Sequence, residues 1–141
     1  SNMYGDILSD EASQVVGGIG IASSANYGDD FALFEPVHGC APDIAGKGIA
    51  NPLSMLFTVK MMLDWLGSKR QDPSCLEASR SLEAAISTVT RSEVKTPDIG
   101  GNASTETVTR AICKEIRKQT ARVPSDDGHY GMIKEDVLLK W

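Results

Sequence analysis

Between Asp6 and Val16 the apolar residues Ile7, Leu8, Ala12, Val15 and Val16 recur at helical spacing and share one face, and Gly17-Gly18 end the run. GIGIAS (18–23) and FALFEPV (31–37) read as short strands, separated by the turn-rich NYGDD. The stretch that follows, EPVHGCAPDIAGKGIANP (35–52), has neither strand alternation nor helical period, and reads as a long loop. Pro52 suits the first turn of a helix. Beyond it, LSMLFTVKMMLDWLG is apolar round most of its circumference, which predicts a largely buried helix that stops at Gly67. After the charged linker SKRQDP, the stripe Leu76, Leu82, Ala85, Ile86 and Val89 predicts a helix from Ser74 to about Val89. KTPDIGGNAS is another turn-rich connection. Ser104 or Thr105 then caps a helix with Val108, Ala111, Ile112 and Ile116 on its inner face. The tail 121–141 is polar at first and ends in MIKEDVLLKW, whose pattern allows an amphipathic turn or two. There is no internal repeat and no low-complexity segment. The pattern predicts an α/β chain, rich in helix with few strands.

Composition narrows the class. With 141 residues, 41% apolar and 23% charged, the chain suits one hydrophobic core. A net charge of −5 and a pI near 5.0 leave no basic patch, so neither nucleic acid nor an anionic membrane is an expected partner. Cys40, Cys75 and Cys113 are odd in number, far apart and without metal-ligand spacing. They favour reduced thiols, hence the cytoplasm or an organelle matrix, over a disulfide framework or a zinc site. No apolar run is long enough for a membrane span, and no signal layout opens the chain. SNMYGDILSD enters organised sequence at once, as expected for a piece of something longer; Ser1-Asn2 are either native or a tag remnant.

Two features carry candidate chemistry. Asp6 and Asp10, spaced i,i+4, put two carboxylates on one helical face within reach of one ion, and such hard oxygens suit Mg²⁺ or Mn²⁺. The bland alternative is an acidic first turn that favours the positive end of the helix dipole. The second feature is the long loop. Loops of this length are uncommon in a compact domain unless functional or disordered, and this one is too rich in Val, Ile and Ala for disorder. Gly39, Gly46 and Gly48 let backbone approach a ligand, His38 offers a ring for stacking or hydrogen bonding, and Asp43 accepts from a diol. For His38 the bland alternative is a ring tied to its own loop. GGIGIA at Gly17 contains GxG but precedes a strand, so it reads as a helix stop, and no phosphate-cradling motif is present.

NMYGDILSDEAS, then FEPVHGCAPDIAGKGIANP, then a helix with MML and finally TPDIGGNASTE resemble together the C-terminal part of the β-decarboxylating dehydrogenases. This family contains 3-isopropylmalate, isocitrate, homoisocitrate and tartrate dehydrogenases. The resemblance runs from Asn2 to about Ile116, is most like the 3-isopropylmalate enzymes, and leaves the tail without a counterpart. It implies that Asp6 and Asp10 coordinate a divalent metal, Mg²⁺ or Mn²⁺, which also holds the substrate's hydroxyl and adjoining carboxylate. It implies that His38, Gly39, Cys40, Ala41, Asp43, Ile44 and Asn51 hold the adenosine half of the dinucleotide, with His38 and Asn51 near the adenine and Asp43 at the ribose diol. Cys40 stands where serine is usual. Asp98, in TPDIGG, is implied near the same end of the cofactor. Members that use NADP carry Lys-Tyr where Asp43-Ile44 stand here, so the expected cofactor is NAD.

The fold implied is the C-terminal portion of a two-lobed α/β architecture unrelated to the Rossmann domain. Residues 1–30 belong to the central dimer-forming lobe, 31–120 to the nucleotide-binding lobe, and 121–141 form a tail. The substrate arginines, the catalytic tyrosine and lysine, and a third metal aspartate from the partner subunit lie upstream in the family, so no catalytic residue is expected in this chain and it is expected to be inactive alone. The expected parent is a homodimeric NAD-dependent oxidative decarboxylase of a 3-substituted malate, as in leucine biosynthesis. A tartrate- or malate-type or isocitrate/homoisocitrate enzyme is the alternative. A non-catalytic nucleotide-binding or regulatory subunit is the alternative of another class.

Overall fold

A computed structural model describes residues 2–120, so the amphipathic pattern expected in the tail lies outside the described residues. The described elements are α1 (Asn2–Val16), β1 (Ser23–Tyr27), β2 (Ala32–Pro36), α2 (Leu53–Arg70), α3 (Pro73–Thr90) and α4 (Thr105–Thr120), with short 3-10 turns at Ile19–Ile21, Pro42–Ile44 and Pro97–Ile99. Helix therefore dominates, with one antiparallel hairpin, as the sequence pattern predicts.

The core lies where α2, α3 and α4 meet. Leu53, Leu82, Ala85, Ile86, Val89, Val108 and Ile112 are buried there, so the predicted stripes of the last two helices point inward. The α2 prediction needs correcting on two counts. Of its residues only Leu53, Ser54, Thr58 and Gly67 are fully buried, and Met55 is 51% exposed. Its end is also later than Gly67, because Gln71 takes the left-handed conformation (φ 52°) and the Asp72 amide closes onto the Gly67 carbonyl at 2.9 Å. Gly67 serves a different purpose: a Cβ there would lie 2.7 Å from the side chain of Leu76, where α3 crosses the end of α2.

Asp72 starts α3 by accepting a hydrogen bond from the Ser74 amide at 2.9 Å, with Pro73 in the first turn. Ser104 does the same for α4, accepting from the Thr107 amide at 3.1 Å. The first strand is also displaced from its expected place. Residues 19–21 wind into a 3-10 turn, and pairing runs from Ser23↔Pro36 to Tyr27↔Ala32. The cause is Gly17 and Gly18 at φ 127° and 105°, which turn the chain out of α1 before it can extend. The hairpin lies on α2 through Phe34, whose ring meets Trp65 edge-on at 6.1 Å.

α1 keeps its predicted periodicity and loses its predicted burial. Ile7, Leu8 and Val15 are exposed, as are Met3 and Tyr4, because α1 meets little besides the 19–21 turn among the described residues.

One polar network ties α2 to α3. Asp64 accepts hydrogen bonds from Lys60 at 3.0 Å and from the buried Ser79 hydroxyl, and Glu83 lies 3.5 Å from the same ammonium. Burial would raise the pKa of Asp64, but the Ser79 and Lys60 hydrogen bonds outweigh it and hold the carboxyl below its ordinary range. A depressed carboxyl contributes stability above its unfolded pKa of about 4, and that contribution is lost as pH falls through the lower folded value. Ser79→Ala is therefore expected to lower the urea midpoint at pH 7, and the gap should narrow when both proteins are measured below about pH 3. An equal gap at both pH values would show that the hydroxyl contributes by packing alone.

Candidate functional site

The long loop leaves β2 at Pro36 and returns to the core at Leu53. Ala41 is left-handed (φ 43°) and turns the chain into the Pro42–Ile44 turn; Gly46 and Gly48, at φ 76° and 64°, bend it back. The loop is tied down at its far end. Thr105, in the first turn of α4, donates its amide to the Gly48 carbonyl at 2.9 Å and its hydroxyl to the Ala50 carbonyl. Asn51 accepts from the Leu53 amide at 3.0 Å and donates to the Asp98 carboxylate at 2.8 Å. A segment without regular structure is thus fixed at several points by α4 and by the Pro97–Ile99 turn.

These ties leave an open groove of about 970 Å³ between the loop, the 17–20 segment and the Pro97–Ile99 turn. His38, Gly39, Cys40, Ala41, Ile44, Asn51 and Asp98 line it, and so do Ile19 and Ile49. Asp43 is exposed in the first turn after Ala41 and does not line the groove itself. The His38 Nδ1 lies 3.1 Å from the Gly39 carbonyl; a carbonyl only accepts, so Nδ1 carries the proton and Nε2 of the neutral ring remains an acceptor. The side chain is exposed, so this local tie does not remove it from the groove.

Sequence reasoning passes over Gln14, Gly20 and Thr105, which also line the groove. Gly20 sits in the GxG that the sequence presents as a helix stop. A Cβ on it would come within 3.1 Å of an Asp98 oxygen, so close approach explains the glycine.

Asp6 and Asp10 are exposed on α1. The helix begins at Asn2 and its first turn holds no acidic residue, so Asp6 stands in the second turn and Asp10 in the third. The dipole explanation weakens accordingly, since that effect fades beyond the first turn. Gln14 continues the same i,i+4 stripe, so the face that carries both carboxylates runs on into the groove about 6 Å further along the helix axis. Among the described residues no group of three or more His, Cys, Asp or Glu side chains is placed to hold a metal. The pair therefore offers two hard oxygen donors of a larger set.

Residues 1–116 match the family model described as isocitrate/isopropylmalate dehydrogenase. The isocitrate/homoisocitrate dehydrogenase of Thermus thermophilus is 50% identical over 117 residues, which cover 83% of this chain and 33% of that protein. The 3-isopropylmalate dehydrogenase of Sulfurisphaera tokodaii is 52% identical over 116 residues, 82% of this chain and 34% of that protein. The crystal structure of an apo β-decarboxylating dehydrogenase from Thermococcus kodakarensis superposes with a TM-score of 0.71 at 48% identity, covering 86% of this chain and 34% of that one. The chain spans about a third of the length of these relatives. Isocitrate and isopropylmalate enzymes stand equally near it. With a family model over residues 1–116 and a shared fold at 48% identity, the chain belongs to the isocitrate/isopropylmalate dehydrogenase family.

Proposed function

We propose that this chain supplies the adenosine-binding groove and two metal carboxylates of an NAD-dependent, Mg²⁺- or Mn²⁺-dependent oxidative decarboxylase acting on a 3-substituted malate. The observation that carries the reading is the groove, where the loop residues His38 to Asn51 and the distant Asp98 share one wall. Its volume is within the range of cofactor sites, and its surface suits an adenosine: apolar Ile19, Ile44 and Ile49 for the base, backbone bared by glycines, and a few polar groups at the margin. No Lys or Arg lines it, which favours a free ribose diol over a 2′-phosphate. Asp43, on the exposed turn beside it, would accept from that diol and repel the phosphate.

Bound NAD would supply the hydride acceptor, and the chain's residues bind and orient its adenosine end. Asp6 and Asp10 fit a hard divalent cation in kind and in spacing, which favours a catalytic part over a regulatory one. A cation held there would supply Lewis-acid stabilisation of charge on the substrate's hydroxyl oxygen. The longer protein would work as a homodimer, in keeping with the exposed apolar stripe of α1.

Titration calorimetry of the 141-residue chain tests the cofactor reading. NAD is expected to bind at least about tenfold more tightly than NADP, and Asp43→Lys to erase or reverse that preference. Equal affinities in the unsubstituted chain would remove Asp43 as the selecting residue, and no heat with either nucleotide at millimolar concentration would remove the groove as the adenosine site.

A further inference from the structure

We propose that Asn51 is a positioning residue, acting through Asp98, and is not a nucleotide ligand in its own right; this rests on reading the groove as an adenosine site. Both ends of the Asn51 amide are already in use. Its oxygen caps α2 by accepting from the Leu53 amide, a donor that Pro52 leaves without a side-chain partner, and its nitrogen donates to Oδ2 of Asp98. Those two contacts join the loop's end to a turn 47 residues further along the chain.

Gly20 closes the third side. Its missing Cβ would stand 3.1 Å from the same Asp98 oxygen and 3.9 Å from Cβ of Asn51, so the carboxylate is hemmed between an amide donor and bare backbone. Oδ2 is consumed by the latch. Oδ1 has no protein partner among the described residues, and Asp98 lines the groove, so the oxygen this wall presents to a ligand is Oδ1 of Asp98. Asn51 fixes where that oxygen points, and a held side chain binds more tightly than one that must first be ordered.

The test is a double-mutant cycle on the full chain, with NAD as the probe. Asn51→Asp keeps the α2 cap, because its carboxylate still accepts from Leu53, but it removes the donor and faces Asp98 with a like charge. Asn51→Asp and Asp98→Ala are each expected to weaken NAD binding about tenfold with the thermal midpoint little changed, and the double variant to bind no more weakly than Asp98→Ala alone. Single losses that multiply in the double variant would overturn the proposal, because Asn51 would then touch the nucleotide independently. Undiminished binding in Asn51→Asp would overturn it alone. No NAD binding by the unsubstituted chain would overturn the groove reading, and this inference with it. Should Asn51→Asp fail to fold, Gly20→Ala leaves the cap intact and presses on Asp98: it should weaken binding with Asp98 present and change nothing in the Asp98→Ala background. An equal loss in both backgrounds would again refute the latch.

Discussion

Gly101→Ala is expected to destabilise the chain by about 4 kcal/mol, a large part of the stability of an ordinary domain, and to abolish NAD binding at temperatures where the unsubstituted chain is folded. The added Cβ would lie 2.0 Å from the Lys95 carbonyl oxygen and 2.4 Å from its carbon, a clash with backbone that no rotamer change relieves. The Lys95 carbonyl has no room to retreat. It accepts from the Ala103 amide at 2.8 Å, while the Gly101 amide donates to the Thr96 carbonyl at 3.0 Å, and Thr96 is fully buried. Opening this 95–103 turn would release Asp98 from Asn51 and take down one wall of the groove. The neighbouring glycine is the control. Gly100 has a positive φ of 82°, and a Cβ added there would meet nothing within 4 Å, so Gly100→Ala should cost only about 1–2 kcal/mol, the left-handed penalty. Urea denaturation of both variants checks the pair, and a loss below about 1 kcal/mol for Gly101→Ala would show that the turn yields.

How much of this the sequence discloses depends on how local each cause is. The helices beyond Pro52 are legible because their signals are near neighbours in the chain: Asp72 before Pro73, Ser104 before α4, and stripes such as Leu82, Ala85, Ile86 and Val89. The errors come where a distant element decides. Gly67 looks like a stop, yet Leu76 from the next helix is what requires a glycine there. The α1 stripe looks like an inward face, but periodicity tells only that a face is apolar and not what lies over it.

The groove divides in the same way. The loop residues from His38 to Asn51 are conspicuous as one irregular stretch, and the resemblance to the dehydrogenase family adds Asp98. Gln14, Gly20 and Thr105 come from three other segments, and no spacing rule joins them before the chain is folded. Gly20 is visible as part of a GxG, but the reason for it is an oxygen 78 positions away in sequence, from residue 20 to residue 98.

Asp10→Asn is expected to remove about three powers of ten of turnover while leaving fold and NAD binding intact. The chain alone should produce no NADH from a 3-substituted malate with NAD and Mn²⁺, because the resemblance places the substrate-binding and proton-transferring groups outside it. Turnover is therefore read in a chimera, with residues 1–116 in place of the matching third of a relative about half identical to it. Stabilisation of substrate charge by a divalent cation is worth several kcal/mol, and each ~1.36 kcal/mol is a factor of ten in rate. Asparagine keeps the shape and one acceptor but loses the charge that a hard cation needs. Asp10 is exposed, and its carboxylate makes no hydrogen bond or ion pair among the described residues, so the substitution should shift stability by no more than about 0.5 kcal/mol. A dipole role predicts the opposite pattern, a small loss of helix stability with turnover retained, and Asp10 is already two turns too far along α1 for that. Asp6→Asn should behave alike, since both carboxylates share the stripe that leads through Gln14 to the groove. An active Asp10→Asn chimera with unchanged Mn²⁺ dependence would take the metal away from α1 and leave the chain with the nucleotide groove alone.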